Sequence, residues 1–221
     1  MVYLPGHFAS DDQEQLDALV AAHPLATLVT HGPAGIAVNH IPLLLLPASA
    51  SEGHVLVGHV ARANDLWREG FHDGETIAVF QGPDAYISPS WYPTKQRTHE
   101  VVPTWNYAVV HARGRLVVHD DPKWVRGVVA RLTQAMEATM PQPWKVGDAP
   151  PAFVERSISN IVGIELPVER WVGKVKMGQN KPTEDRLAAA DALEGTGSAA
   201  ARAVAALMKA PPTPSDGSAS D

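Results

Sequence analysis

The residues most able to do chemistry are polar side chains that interrupt apolar, strand-like stretches. Asn39 and His40 interrupt one such stretch, His59 lies in another, and Arg62 and Asn64 follow it directly. A polar group buried in a strand needs a hydrogen-bond partner, which is either another group of the chain or a ligand. These five positions are therefore candidates for a binding site.

Arg62 and Asn64 stand where a predicted strand ends and a helical turn begins. Backbone N–H groups are unpaired at such a point, so an anion can bind there. The planar guanidinium of Arg62 also matches the oxygens of a phosphate group. A solvent-facing arginine followed by an asparagine cap is the alternative interpretation of the same spacing.

Lys174 and Lys176 are two residues apart on a predicted strand, so their side chains point to the same face of the sheet. Two like charges on one face repel each other unless an anion lies between them or water screens them. Gln179 and Asn180 follow at the end of this strand. The pattern therefore predicts either an anion site or an exposed, solvated sheet edge.

Aromatic and histidine side chains are the remaining candidates. The densest aromatic cluster either stacks on a planar cofactor, forms the wall of a pocket or belongs to the core. His40 and His59 lie in predicted neighbouring strands, but histidines with a structural role are more frequent than metal ligands, and no metal site is predicted. The aromatic cluster consists of Trp91, Tyr92, Trp105 and Tyr107.

The composition excludes several classes of protein. There is no cysteine, so thiolate metal sites and cysteine nucleophiles are excluded. A net charge of −6 argues against a strongly basic surface over the whole molecule, although a local patch remains open. Glycine-rich phosphate loops and the serine-hydrolase motif are absent from the sequence. Without a secretory signal or a long apolar stretch, we expect a cytoplasmic protein.

The elements that must position these residues are mostly short strands. Alternation and turn residues predict strands over 25–30, 36–46, 54–59, 75–80, 84–88, 105–112, 115–119 and 161–176. Helices are predicted from a capping box at Ser10 and Gln13, after the N-cap Asp121, and over 152–159, 182–193 and 199–209. This order predicts a mainly β (α+β) fold, an antiparallel barrel with peripheral helices. We expect one domain over residues 1–209 and a disordered tail over 210–221.

Eight short segments, taken together and in order, resemble the PaiB-like family of FMN-binding negative transcriptional regulators, over about residues 1–209. They are YLPGHF (3–8), HPLATL (23–28), NHIPL (39–43), GHVARAN (58–64), AVFQGP (78–83), AYISPSWY (85–92), VPTWNY (102–107) and VGIE (162–165). The resemblance implies an FMN-binding split β-barrel of the pyridoxamine-phosphate-oxidase type. It also implies a homodimer with FMN at the subunit interface.

The resemblance further assigns roles to individual residues. Arg62 and Asn64 would hold the FMN phosphate, and Asn39 and His40 would lie along the flavin. The family usually has a serine where this chain has Gly178, so one phosphate contact would be missing. The full set of cofactor-binding residues implied is Asn39, His40, His59, Arg62, Asn64, Trp91, Thr104, Trp105, Asn106, Lys176, Gln179 and Asn180.

Two main functions follow from this interpretation, and a third is weaker. The family name points to transcriptional regulation, by DNA contact or through a partner protein. Direct DNA contact requires a local basic patch, for which the candidates are Arg113, Arg115, Arg126 and Arg131. The alternative is an FMN-dependent oxidoreductase acting on a small molecule, in which the protein orients and tunes the flavin. A haem- or small-ligand-binding module that uses His40 or His59 is the third.

Overall fold

The computed structural model describes residues 2–33, 35–49, 53–68 and 74–211. The described chain forms two compact units that interleave along the sequence. Unit 1 takes the residues up to Ala22, then Gln81–Val110, then those from Val172 onward; unit 2 takes His23–Phe80 and His111–Trp171. The single domain over residues 1–209 stays a prediction. Of the predicted tail over residues 210–221, residues 212–221 lie outside the described part.

Nine strands of the described chain form a sheet whose order along the main path is β3-β2-β6-β7-β9-β5-β4, and β1 and β8 both pair with β9. The hairpin between β2 and β3 is antiparallel and in register from Leu25↔Pro42 to Gly32↔Gly35, which confirms the predicted hairpin. The strands are β1 Ala9–Ser10, β2 Leu25–Gly32, β3 Gly35–Pro42, β4 Leu44–Ser49, β5 Gly53–Ala61, β6 Glu75–Ile87, β7 Thr104–Arg115, β8 Val117–His119 and β9 Ile161–Lys176.

Six α-helices and four short 3₁₀ turns accompany the described strands. The carboxylate of Asp121 accepts hydrogen bonds from the N–H groups of Lys123 and Trp124, which confirms it as the predicted N-cap of α3. The helices are α1 Gln13–Ala22, α2 Pro93–Thr98, α3 Pro122–Glu137, α4 Pro151–Ser159, α5 Thr183–Glu194 and α6 Ala199–Lys209, and the turns are Gly6–Phe8, Asp65–Trp67, Pro89–Trp91 and Val146–Asp148.

The predicted capping box at Ser10 is wrong. Ser10 belongs to β1, where it pairs with Gly173, and its hydroxyl donates to Gln15 Oε1 at 2.7 Å. The helix begins only at Gln13, and the carboxylate of Asp12 accepts from the Gln15 N–H at 3.3 Å. Pairing with β9 satisfies the backbone of Ser10, so the local capping signal is overridden.

Two predicted strand breaks are also wrong. Glycine and proline at positions 82 and 83 do not interrupt β6, which is continuous from Glu75 to Ile87. Gly114 lies inside β7 rather than in a turn, and β8 pairs with β9, with Val117 opposite Glu165. A Cβ at Gly114 would lie 2.1 Å from the Pro167 carbonyl oxygen. This glycine is therefore needed for a close backbone approach, which periodicity alone does not distinguish from a turn.

Each unit has its own apolar packing. In unit 1, small side chains of α5 and α6, such as Ala189 and Ala205, let these helices lie close to the buried Ile87 of β6 and to Met177, which follows β9. In unit 2, α3 packs Val128 and Leu132 against Val57 of β5. No helix in the described ranges is both long and apolar enough to cross a membrane.

Candidate functional site

Asn39 and Asn64 are joined directly in unit 2. The Nδ2 of Asn64 donates to Asn39 Oδ1 at 2.8 Å, and Asn64 Oδ1 accepts from the N–H of Leu66 at 2.9 Å. Asn64 therefore caps the 3₁₀ turn Asp65–Trp67, which agrees with the alternative interpretation of this spacing, an asparagine cap. Asn39 and Asn64 thus stabilise the turn at which the resemblance implies a phosphate site.

Arg62 is held by the chain itself. Its guanidinium makes a bidentate ion pair with Asp120, with N–O distances of 3.0 and 2.5 Å, and Nε donates to the Ser159 carbonyl at 2.8 Å. A further N–H reaches the Ile161 carbonyl at 3.3 Å. The hydrogen bond between them raises the pKa of Arg62 and lowers that of Asp120. A phosphate at Arg62 would have to compete with Asp120, a partner that the sequence analysis did not identify.

The two candidate histidines lie in different environments. His40 is on the exposed face of β3, and because side chains alternate along a strand, Asn39 points to the opposite face. His59 lines an apolar pocket, and the residues that line this pocket do not include His40. Across the described ranges, no group of three or more histidine, aspartate and glutamate side chains is arranged to hold a metal ion.

Lys176 and Thr104 meet in unit 1. The Lys176 Nζ donates to Thr104 Oγ1 at 2.6 Å, and the strands that carry them, β9 and β7, are neighbours in the sheet. Burial lowers the pKa of Lys176, and the charges of Lys174 and Lys181 lower it further, against an opposing effect of Tyr107. An ammonium group in these surroundings gains from a nearby anion.

Lys174 is buried, so the prediction of a solvated sheet edge is wrong for this residue. It is 8% exposed, and its Nζ donates to the Tyr3 carbonyl at 2.9 Å and lies 5.5 Å from the ring centres of Tyr3 and Tyr107. Lys181 lies over the ring of Tyr92 at 5.8 Å. None of the ion pairs found among the described residues includes Lys174, Lys176 or Lys181. We call these three residues the lysine cluster; no carboxylate of the described ranges forms an ion pair with it.

The residues after β9 form a tight turn beside this cluster. Gln179 closes the turn, because its Nε2 donates to the Val175 carbonyl at 2.6 Å and its Oε1 accepts from the Met177 N–H at 2.7 Å. Gly178 has φ of 81°, a backbone conformation that serine rarely adopts. The glycine therefore fits this turn, and a Cβ built on it would lie 4.0 Å from Nδ2 of the buried Asn106. Asn180 is exposed.

The predicted aromatic cluster divides into two parts. Trp91 and Tyr92 pack against the unit 1 core, so the core interpretation holds for them. Trp105 is 53% exposed and meets Tyr86 edge to face at 6.0 Å, where both rings are accessible to a ligand or a partner.

Comparison with known proteins connects these features to flavin binding. A family model described as "Putative FMN-binding domain" matches residues 2–170. The protease synthase and sporulation protein PAI 2 of Bacillus subtilis is 27% identical over 208 residues, which cover 94% of this chain and 97% of the relative. An uncharacterized protein of Emericella nidulans is 29% identical over 242 residues, covering 94% of this chain and 96% of the relative.

Solved structures share the fold at low identity. An FAD- and haem-binding protein from Mycobacterium smegmatis has a TM-score of 0.55 at 16% identity, covering 77% of this chain and 74% of that chain. A flavocytochrome from Azotobacter vinelandii has a TM-score of 0.54 at 15% identity, covering 77% and 70%. These matches confirm the predicted fold class, a mainly β split barrel with peripheral helices.

Proposed function

Since the chain belongs to the FMN-binding domain family, its cofactor is FMN, and we propose that it is a homodimeric flavoprotein with a regulatory role. The name of the Bacillus subtilis relative, which refers to protease synthase and sporulation, supports a role in control. The observation that carries the FMN site is the hydrogen bond from Lys176, a member of the lysine cluster, to Thr104. Bound FMN supplies electron-transfer chemistry, while the protein binds and orients it.

The residues of unit 1 fit a phosphorylated flavin. A phosphate near pH 7 carries between one and two negative charges, and the lysine cluster supplies positive charge without a competing carboxylate. Thr104 adds a hydroxyl, and Asn106 adds an amide that is only 2% exposed. Trp105 points to the opposite face of β7 from Thr104 and Asn106, so we propose that its accessible ring stacks on the FMN of a second copy of the chain. We assign the main FMN contacts of unit 1 to these residues and to the turn formed by Gln179 and Asn180.

Unit 2 offers a second candidate position for the FMN phosphate, as an alternative to the lysine cluster. Asn39 and Asn64 present amide groups at the strand end, and Arg62 stands beside them with its guanidinium bound to Asp120. If the phosphate binds here rather than at the lysine cluster, it shares Arg62 with Asp120. His40, which is exposed on the other face of β3, is a further candidate for a contact with FMN.

An exposed apolar strip on unit 2 supports the homodimer. Ile36 and Val38 of β3 are 74% and 56% exposed, and Leu25 of the neighbouring β2 is 61% exposed. Ile36 and Val38 lie on the edge strand β3, and Leu25 lies on the strand beside it. Unpaired backbone groups and exposed apolar side chains at a sheet edge favour pairing with another chain. We propose that a second copy covers this strip, because soluble homo-oligomers are most often symmetric dimers.

Regulation by direct DNA contact has little support from the arrangement of charge. Arg113, the first member of the candidate basic patch, is paired with Glu75, which also pairs with Arg170. Arg126 and Arg131 are exposed on α3, but the net charge is −6. We therefore propose that regulation acts through the FMN site and a partner protein.

FMN-dependent oxidoreduction is the second candidate, and Lys176 favours it. Because burial lowers the pKa of this ammonium group, its Nζ releases a proton more readily than an ordinary lysine. A proton donor of this kind beside a flavin suits reduction of a small molecule. An assay must identify the molecule that accepts the electrons.

One experiment separates the two functions. The full-length protein is titrated with FMN by flavin fluorescence, and the FMN-loaded protein is then mixed anaerobically with NADH or NADPH. Loss of flavin absorbance at a catalytic rate would establish the oxidoreductase and contradict the regulatory proposal. Flavin that stays oxidised with both nucleotides supports regulation. Absence of FMN binding would overturn both.

A further inference from the structure

A pocket in unit 2 is independent of the residues assigned to FMN, apart from His59. It has a volume of about 260 Å³ and lies beside β5, between α3, the turn Val146–Asp148 and α4. Val129 of α3 and Val154 and Ile158 of α4 form its walls, while Trp144 and Phe153 are both exposed and border it. Apolar side chains thus make up nearly all of its surface.

The charge of this pocket excludes a phosphorylated ligand. The described residues that line it include no lysine, arginine, aspartate or glutamate. A phosphate placed there would lose its hydration without gaining a cation or an array of donors, which is strongly unfavourable. The hydroxyl of Ser157 is already used, because it donates to the Phe153 carbonyl at 2.9 Å. FMN therefore does not fit this pocket, although His59 belongs to the set predicted to bind it.

His59 gives the pocket a specific polar feature. Its Nδ1 is buried and has no hydrogen-bond partner among the described residues. A neutral imidazole has one N–H donor and one nitrogen that accepts a hydrogen bond. Burial lowers the pKa of His59, so the ring remains neutral at physiological pH. The pocket is thus lined by apolar side chains and by His59, whose buried Nδ1 has no partner among the described residues.

The size of the pocket limits the ligand. An apolar cavity of about 150 Å³ accepts one benzene ring, so about 260 Å³ has room for two fused rings. We propose that this pocket binds an uncharged bicyclic aromatic molecule that donates one hydrogen bond to the imidazole of His59. Indole is the simplest probe of this class, and 1-methylindole is its matched control because it lacks only the N–H donor.

The test uses the full chain saturated with FMN and isothermal titration with each probe. We expect one site per chain that prefers indole over 1-methylindole by about threefold to tenfold, the range for one hydrogen bond. His59→Phe should abolish this preference while leaving the binding of 1-methylindole nearly unchanged. Val129→Phe should fill the pocket and remove binding of both probes. The matched control is Val117→Phe, the same change at an exposed valine outside the pocket.

Several outcomes would overturn the proposal. They are absence of indole binding at millimolar concentration, equal binding of the two probes by the unsubstituted protein, and unchanged binding in Val129→Phe. Release of FMN by indole would mean that the probe occupies the flavin site. A change in the mass of Val129→Phe, together with no indole binding, would mean that a second copy of the chain fills the pocket. FMN content and thermal unfolding of each variant, measured in parallel, show whether it is folded.

Discussion

The Nζ of Lys176 lies 2.6 Å from the Oγ1 of Thr104, so a cation near the end of β9 is held at the start of β7. Within the described chain, neither Lys176 nor its neighbours Lys174 and Lys181 has a carboxylate partner. Positive charge that is partly removed from water and left unbalanced is characteristic of anion sites.

Lys176→Met should weaken FMN binding. A hydrogen bond to a charged group contributes about 1.5–3 kcal/mol, so the Kd should rise by roughly tenfold to a hundredfold. Flavin-fluorescence titration measures the change. Lys123→Met, at an exposed lysine in the first turn of α3, removes the same charge elsewhere and should leave the Kd within about twofold. Equal effects of the two substitutions would show that only net charge matters.

Arg62 and Asp120 should respond differently to FMN. If the phosphate shares Arg62 with Asp120, Arg62→Ala weakens FMN binding, whereas Asp120→Asn releases the guanidinium and leaves binding equal or tighter. Both substitutions remove the same ion pair, so both should lower the unfolding temperature. The same titration tests the affinity, and an Arg62→Ala protein with unchanged Kd would restrict Arg62 to a structural role.

Val38→Lys should dissociate the proposed dimer. The substitution places a charge in the exposed apolar strip of β3, where a second chain would bury it without a partner. Light scattering should give the mass of a single chain for the variant and twice that mass for the unsubstituted protein. Val117→Lys, the same change at an exposed valine of β8, is the control and should leave the mass unchanged. A single-chain mass for the unsubstituted protein would refute the dimer.

Stability should fall as the pH decreases below about 6.5, the pKa of histidine in an unfolded chain. Burial lowers the pKa of His59 and of His111, and the charge of Arg113 adds to the effect at His111. Between the folded and unfolded pKa values the unfolded chain binds more protons, so acid favours unfolding. The loss begins near pH 6.5 and is complete below the lowered pKa values.

Urea unfolding between pH 8 and pH 5 checks this dependence. His59→Phe should reduce the slope of the unfolding free energy against pH, because it removes one of the two half-buried histidines whose pKa is lowered. His31→Phe, at an exposed histidine, is the control for loss of a ring. An unchanged slope in His59→Phe would assign the dependence to other groups.

Two glycines should respond in opposite directions to alanine. At Gly114 the new Cβ would lie 2.1 Å from the Pro167 carbonyl oxygen, so Gly114→Ala must displace a strand and lower the unfolding temperature sharply. At Gly127, within α3, nothing lies within 4 Å of the Cβ position. Gly127→Ala should therefore stabilise by about 0.5–1 kcal/mol, the difference in helix propensity. Circular dichroism during heating measures both.

The sequence was sufficient for the features that depend on neighbours in the chain. The β2–β3 hairpin, the N-cap Asp121 and the turn after Arg62 follow from local chemistry, and all three are present. Features that depend on residues far apart in the sequence could not be predicted from it. Ser10 pairs with Gly173 rather than capping a helix, and Gly114 approaches Pro167 rather than forming a turn.

The same distinction applies to the candidate site. Spacing placed Lys174 and Lys176 on one face, but only the fold shows that Tyr3 and Tyr107 accompany Lys174 and that Thr104 binds Lys176. The charge of Arg62 was evident, whereas its partner Asp120 is 58 residues away. The family match also ends at residue 170, before Lys176, so the role of the lysine cluster rests on geometry.

The interleaved order of the two units has a consequence for synthesis of the chain. Unit 1 takes its last segment from residues after Trp171, and this segment carries Lys176, α5 and α6. On the ribosome, Thr104 emerges more than 70 residues before its partner Lys176, which at about 5–20 residues per second is a delay of several seconds. Unit 2 has all of its residues available earlier. A nascent chain that is released just after Trp171 would therefore contain every segment of unit 2 but no lysine cluster.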